Sequence, residues 1–306
     1  MSNTISVTSH FRGCLLGLAA GDAVGTTVEF SPRGSFAPLT DMVGGGPFGL
    51  EPGQWTDDTS MALCLAVSLV ERNGFDARDQ MDRYVRWRER GYLSSTGRCF
   101  DIGGTVSRAL TRYAKTGDPM AGSADPNSAG NGCIMRLAPV PMWFYPDLDA
   151  MVRYSAESSK TTHGATECED ACRLMAGVLY RAFDGAPKDA VLFGDPSFAG
   201  ATKIEAIARG TYRDKHVHDI RGSGYVVDCL EAALWCVWTT GTFEAAVLAA
   251  ANLGADADTT AAVCGQVAGA LYGVEAIPVG WRDKVAMADY ITQLADRLNR
   301  GAGRME

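Results

Sequence analysis

No apolar run in this chain is long enough to cross a bilayer; the longest, Met61 to Val70, is interrupted by Ser68. Residues 1–10 lack the basic and apolar regions of a secretory signal. Positive charge is not in excess. The 36 Asp and Glu outnumber 28 Lys and Arg, a net charge of -8, which argues against broad binding to nucleic acid or anionic membrane. No Pro/Ser-rich linker or charge block divides the sequence, and no internal repeat is visible, so 1–306 reads as one domain. The nine cysteines are odd in number and follow no framework spacing. They read as reduced thiols in a cytoplasmic protein. Strand-like alternation is almost absent, which leaves an all-α architecture.

What is present is mostly helical periodicity. Phe11–Ala20 is small and apolar, with Gly13, Gly17 and Gly21 at intervals of four that admit a close helix neighbour. Ser60–Arg72 reads as a buried helix. Ala77–Glu89, Gly104–Ala114, Asp149–Ser159, Ala165–Phe183, Tyr225–Thr239, Phe243–Leu253, Thr260–Leu271 and Trp281–Leu298 follow as helices. Residues 31–53 form a Gly/Pro-rich loop, read as a lid or as disorder. Pro187–Gly200 reads as a surface excursion, and Asp118–Gly132 as a second loop.

Two acidic clusters stand at opposite ends of the chain: Thr56-Asp57-Asp58-Thr59 and Asp256-Ala257-Asp258-Thr259. Each precedes an apolar run. A helix cap accounts for one carboxylate in each. It does not account for two acids before a nearly uncharged helix, because buried carboxylates need something to neutralise them. If the clusters meet, they stay ionised together only with cations between them. The donors are all oxygen, which suits hard ions such as Mg²⁺ or Mn²⁺ and suits Zn²⁺ poorly.

Ser128-Ala-Gly130-Asn131-Gly132-Cys-Ile134-Met135-Arg136 has the small residues that let backbone N–H groups face an anion. A helix starting near Ile134 would add its dipole. A plain Asn-Gly turn is the alternative. The loop lacks the Lys-Ser/Thr sequel of a nucleotide triphosphatase. Cys168 and Cys172, four apart with His163 nearby, suit packing better than a soft metal site. His216 and His218 read as surface residues, the pair Trp235 and Trp238 as core, and Tyr225 as a cleft-wall residue.

Several ordered segments together resemble the ADP-ribosylglycohydrolase family over nearly the whole length. They are Gly13–Gly25 (GCLLGLAAGDAVG), Glu29-Phe30, Trp55–Met61 (WTDDTSM), Phe100–Gly103 (FDIG), Gly130–Arg136 (GNGCIMR), Thr162-His163, Gly224–Asp228 (GYVVD) and Asn252–Thr259 (NLGADADT). The resemblance implies an orthogonal helical bundle around a binuclear Mg²⁺ or Mn²⁺ centre. It implies Thr56, Asp57 and Asp58 at one ion, Asp256, Asp258 and Thr259 at the other, and Asp258 as bridge. Glu29 falls where the family carries an acid on a flap. Asp101 falls near the scissile bond, and His163 in the ligand cleft. The 128–136 loop becomes a diphosphate cradle. The family's usual Gly stands as Ala255 here, which bears on loop shape because Gly permits backbone angles that Ala resists.

The implied reaction is hydrolysis of the bond from the terminal ribose of ADP-ribose to a protein side chain. The cations would orient the ribose and activate water, and carboxylates would stabilise oxocarbenium character. Asp57, Asp58 and Asp101 are the candidates to protonate the leaving group. The Phe100–Gly103 stretch resembles the branch acting on dinitrogenase reductase, which favours an arginine acceptor over serine. Three alternatives compete: a non-catalytic ADP-ribose binder or toxin-neutralising protein, a metal-dependent phosphohydrolase, and a structural helical protein with strong caps.

Overall fold

The Ser6 hydroxyl accepts the Ser9 N–H at 3.1 Å and starts helix α1, Val7–Gly25. Helices α2 (Asp57–Arg72), α3 (Ala77–Arg90) and α4 (Gly104–Thr116) follow. Each stops at a left-handed residue, respectively Asn73 (φ 53°), Gly91 (φ 65°) and Gly117 (φ 70°). Then come α5 (Pro139–Phe144), α6 (Leu148–Lys160), α7 (Thr166–Phe183), α8 (Lys188–Phe193) and α9 (Thr202–Ala208). The last five are α10 (Val226–Thr239), α11 (Phe243–Ala251), α12 (Ala257–Tyr272), α13 (Val279–Lys284) and α14 (Ala288–Ala302). This computed structural model describes residues 5–302, so residues 1–4 of the N-terminal segment lie outside it. Among the described residues, extended pairing is limited to the isolated bridges Gly45–Leu50, Ser123–His163 and Gly130–Tyr225. The chain is all-α, as its periodicity predicts.

The centre of the fold is the contact between α1 and α12. A methyl at Gly13 would overlap the Gly269 carbonyl, one at Gly17 the Gly265 carbonyl, and one at Gly21 the Ala261 carbonyl. With Gly25 against the Ala257 carbonyl, the two backbones therefore touch along about three turns, and only small residues permit it. Both helices are buried on nearly every side, so the closeness fixes what their ends carry. Asp22 lies near the end of α1, and Asp258 lies in the first turn of α12. The remaining apolar helices pack around this pair. A smaller apolar cluster, with Tyr84, Trp87 and Leu110, joins α2, α3 and α4.

Three sequence expectations change. The Trp281–Leu298 helix is two helices, because Met287 is left-handed (φ 59°) and breaks the ladder between them. The excursion at Pro187–Gly200 contains α8. The 31–53 loop is neither open nor formless: Asn252 holds both the N–H (2.8 Å) and the carbonyl (3.0 Å) of Leu39, and Asp41 accepts the Trp281 indole N–H at 2.6 Å. Its Met42 is fully buried.

Candidate metal centre and cleft

Asp22 is fully buried and accepts four hydrogen bonds. Thr56 donates its N–H (2.9 Å) and hydroxyl (2.9 Å), and Thr59 its N–H (3.0 Å) and hydroxyl (2.6 Å). An acid on α1 thus caps the N-terminus of α2, whose early N–H groups have no partner within the helix. That cap turns Asp58 toward the first turn of α12. The Thr59 side chain is engaged by Asp22, whereas the single Thr56 hydroxyl proton is shared between Asp22 Oδ1 and Asp258 Oδ2, the latter at 3.2 Å. In return Thr259 donates to Asp58 Oδ1 at 3.2 Å.

The two acidic clusters therefore meet. Carboxylate oxygens of Asp22, Asp58 and Asp258 lie within 4.8 Å of one another, and so do those of Glu29, Asp101 and Asp258. Asp258 belongs to both sets. Burial is the first cause of an upward pKa shift at every one of these acids, and neighbouring carboxylates add to it at most. Glu29 is pushed up to about 9, with Asp101, Asp256 and Asp22 adding to burial. Asp101 is raised to about 7, and Asp22 to about 6 because its hydrogen bonds work against burial. Asp57, Asp58 and Asp258 are raised strongly, and Asp256 is raised as well.

Three buried oxygens, Glu29 Oε2, Asp58 Oδ2 and Asp258 Oδ1, have no hydrogen-bond donor. Buried acceptors are seldom left so. Their chemistry fits hard divalent cations, which would supply the missing positive partners.

Of these acids, Glu29, Asp57, Asp101, Asp256 and Asp258 line a cleft of about 350 Å³, together with Gly130, Asn131, Gly132, Met135, His163 and Thr259 among others. A larger cavity of about 740 Å³, near Phe75 and Tyr154, has only Asp76 as a carboxylate and lies apart from the cluster.

The Gly130 loop departs from its predicted form. The N–H groups of Gly130, Asn131, Ile134 and Met135 already donate to Ser128, Gly224, Asn131 and Asn131 carbonyls, so they do not face an anion. Residues Asn131–Cys133 form a short 3-10 turn, and no helix starts at Ile134. Asn131 instead donates its side-chain amide to Asp256 Oδ2 at 2.6 Å, which fixes that carboxylate. Ile134 and Arg136 are fully buried and outside the cleft lining. The Arg136 guanidinium points inward to the Gly132 carbonyl (2.6 Å) and Thr162 Oγ1 (2.7 Å). Ser128 and Tyr225 line a neighbouring cavity of about 620 Å³, where Tyr225 accepts from Lys203 at 2.7 Å and donates to Glu167 at 2.5 Å.

His163 packs its ring against Gly130 and Gly132, where added methyl groups would crowd Nε2 and Cε1. Burial first, and then Arg136 and Arg108, hold its pKa down to about 4, so the ring is neutral. Among the other flagged residues, Cys168 and Cys172 are buried free thiols, and His216 and His218 are exposed. Trp235 and Trp238 pack against the core edge.

Ala255 does take the backbone angle its sequence position called into question, with φ 57°. Phe30, also left-handed (φ 62°), donates its N–H to the Ala255 carbonyl at 2.7 Å, and Ala255 returns one to Ser31 at 2.8 Å. This pair of bonds ties Glu29 to the Asp256 loop.

Asp22 is the acid that sequence reasoning quoted without giving it a role. Its signal was present: a lone carboxylate within an otherwise apolar, glycine-spaced helix.

The ADP-ribosylglycohydrolase family model matches residues 3–305. This chain belongs to the ADP-ribosylglycohydrolase family. It is 48% identical over 288 residues to an ADP-ribosylarginine hydrolase Tri1 of Pseudomonas putida (strain GB-1), covering 94% of this chain and 77% of the relative. It is 33% identical to the ADP-ribosyl-[dinitrogen reductase] glycohydrolase of Rhodospirillum rubrum, covering 92% of each. A solved structure described as an ADP-ribosylglycohydrolase-related protein complex superposes with a TM-score of 0.87 at 41% identity, covering 97% of this chain and 99% of that one. The chain is a glycohydrolase enzyme of this family.

Proposed function

We propose that this enzyme hydrolyses the N-glycosidic bond between the terminal ribose of ADP-ribose and an arginine side chain of a target protein, releasing ADP-ribose. The reading treats 1–306 as one catalytic unit. The observation that carries it is the pair of carboxylate sets sharing Asp258, with undonated buried oxygens at the base of a cleft. Two relatives named as arginine hydrolases, at 48% and 45% identity, support arginine as acceptor.

Two cations, Mg²⁺ favoured and Mn²⁺ the alternative, would be held by Asp22, Asp58 and Asp258 and by Glu29 and Asp258, with Thr56, Asp57, Asp101, Asp256 and Thr259 beside them. When bound, they would supply charge to orient the ribose hydroxyls and to make water a better nucleophile. The chain's own residues do the rest. Asp57, which lines the cleft, takes the proton of the attacking water. Asp101, half-buried at the mouth, delivers a proton to the departing guanidine nitrogen. The carboxylate floor stabilises the positive charge that grows on the ribose as its bond to nitrogen breaks. His163 stands beside the cleft as a neutral donor for ADP-ribose.

Among the described residues, no helix is long and apolar enough to cross a membrane. The nine free thiols support a reducing, cytoplasmic setting.

The test is release of ADP-ribose from an ADP-ribosylated arginine peptide with Mg²⁺, with Mn²⁺ and with EDTA, beside a serine-linked peptide. Turnover of the arginine peptide that EDTA abolishes is expected. Binding of ADP-ribose without turnover would leave a binding protein instead, and full activity in EDTA would remove the cation from the mechanism.

A further inference from the structure

Phe30 is 64% exposed at the mouth of the acidic cleft, and its own left-handed backbone holds it there. That conformation costs about 1–2 kcal/mol for a residue with a side chain, so its persistence calls for a function. Phe30 does not stand alone. Its ring meets Phe48 edge-on, with centroids 6.3 Å apart and planes at 75°, and Phe48 meets Phe100 at 5.2 Å and 58°. Phe48 comes from the pinned 31–53 loop, and Phe100 from the segment before α4. Three separate stretches thus assemble one aromatic cluster, and Phe30 carries it to the lining of the cleft as a rim.

The rim is joined to the carboxylates by the chain itself. Phe30 follows Glu29, and Phe100 precedes Asp101, which is left-handed at φ 57°. Glu29, Asp57, Asp101, Asp256 and Asp258 line the cleft, and its lining includes no Lys or Arg. Aromatic faces beside carboxylates form the surroundings a planar cation prefers, and guanidinium both stacks on rings and pairs with carboxylates.

We propose that Phe30, Phe48 and Phe100 form the acceptor-side seat of the enzyme, taking the guanidinium-bearing arginine of the target protein and selecting it over a neutral serine linkage. The assignment rests on the hydrolase reading above and deepens it. The cleft takes the ADP-ribose, and the rim takes what the ADP-ribose is attached to.

The experiment compares Phe30→Ala, Phe30→Leu, Phe30→Trp and Phe48→Ala with the wild type. KM and kcat are measured on an ADP-ribosylated arginine peptide, kcat/KM on the serine-linked peptide, and ADP-ribose Kd by calorimetry. Losing one ring raises KM for the arginine peptide about 5–30-fold. Leu at position 30 loses nearly as much as Ala, and Trp restores it, because the ring face and not bulk is what binds. ADP-ribose Kd stays within about twofold, and serine-linked turnover, where present, is unmoved. A KM unchanged in both alanine variants overturns the proposal. So does an equal loss of ADP-ribose affinity, which would assign the rim to the nucleotide. Wild type inactive on the arginine peptide sinks the hydrolase reading and the rim with it. Active wild type with insensitive variants sinks the rim alone.

Discussion

Thr162 Oγ1 lies 2.8 Å from His163 Nδ1 while accepting a 2.7 Å hydrogen bond from Arg136 Nη2. Guanidinium only donates, so the threonine hydroxyl proton is left to point at the imidazole. Nδ1 is then the acceptor, and the ring proton sits on Nε2, on the side of Gly130 and Gly132 at the cleft. Arg136, which motif reading places at the ligand, acts here through two other side chains.

Thr162→Val removes the hydroxyl and frees Nδ1 to carry the proton. ADP-ribose affinity should fall about tenfold, the worth of one hydrogen bond to a charged group, and Thr162→Ser should recover it. Nitrogen-15 spectra of the four histidines would report the tautomer directly. A Val variant whose His163 keeps its proton on Nε2 would disprove the relay.

The carboxylate floor makes cation-free stability fall with pH. Glu29, Asp101 and Asp22 hold protons up to about 9, 7 and 6, whereas unfolded carboxylates release theirs near pH 4. Between those limits the folded state binds more protons, so raising the pH favours unfolding. In EDTA, Tm should drop by several degrees from about pH 5.5 to about pH 8.5. Added Mg²⁺ should raise Tm more at the higher pH, because cation and proton compete for the same oxygens. A Tm in EDTA that holds steady or climbs over this range would contradict the shared anionic floor.

Asp22 and Asp258 sit in one cluster but should answer mutation in opposite ways. Asp258→Ala relieves like-charge crowding and leaves Thr56 its bond to Asp22, so cation-free stability should hold or rise. Asp22→Ala strips the partner from the Thr56 and Thr59 N–H groups and from the Thr59 hydroxyl, and leaves the Thr56 hydroxyl only Asp258. Unsatisfied buried donors cost about 1–3 kcal/mol each, partly offset by the lost repulsion. Urea unfolding at neutral pH distinguishes the two, while turnover should vanish in both. Equal stability losses would mean that Asp22 is a ligand only, with no capping role.

The helices that place this site were legible because their apolar periodicity is long. The Gly13, Gly17 and Gly21 spacing even announced a close partner, though not that α12 would be the partner. Helices α5 and α9, with six and seven residues, are too short to show a period and went unread. That the Asp57/Asp58 and Asp256/Asp258 pairs would meet was legible, since paired acids before buried helices need a counter-charge, and Asp58 and Asp258 do lie in one carboxylate set. Asp22 was not, because a single acid in a helix is ordinary until the fold shows which N–H groups it caps. The Gly130 loop was legible only in part, for a related reason: Gly130, Asn131, Gly132 and Met135 line the cleft, but four of its N–H groups turn away from it. Small residues reveal that N–H groups can turn outward, but only tertiary pairing decides where they go, and here Gly224 and local turns take them.

The α1–α12 contact should set the spacing of the carboxylates. Gly17→Val would drive a side chain into the Gly265 carbonyl, where a backbone atom cannot yield as a flexible side chain would. The helices must then part, at about 1–3 kcal/mol for overpacking. Asp22 follows Gly17 by little more than one turn, and Asp258 opens α12, so the same movement separates the carboxylates that share a cation. Two readouts should therefore fall together: the urea midpoint and the rise in Tm produced by saturating Mg²⁺. Gly280→Ala provides the control, because a methyl there meets no atom within 4 Å and stability should change by no more than about 0.5 kcal/mol. If Gly17→Val lowers the urea midpoint but leaves the Mg²⁺ response intact, the glycine seam stabilises the fold without gauging the site, and the distance from Asp22 to Asp258 must be set by the Thr56 bridge instead.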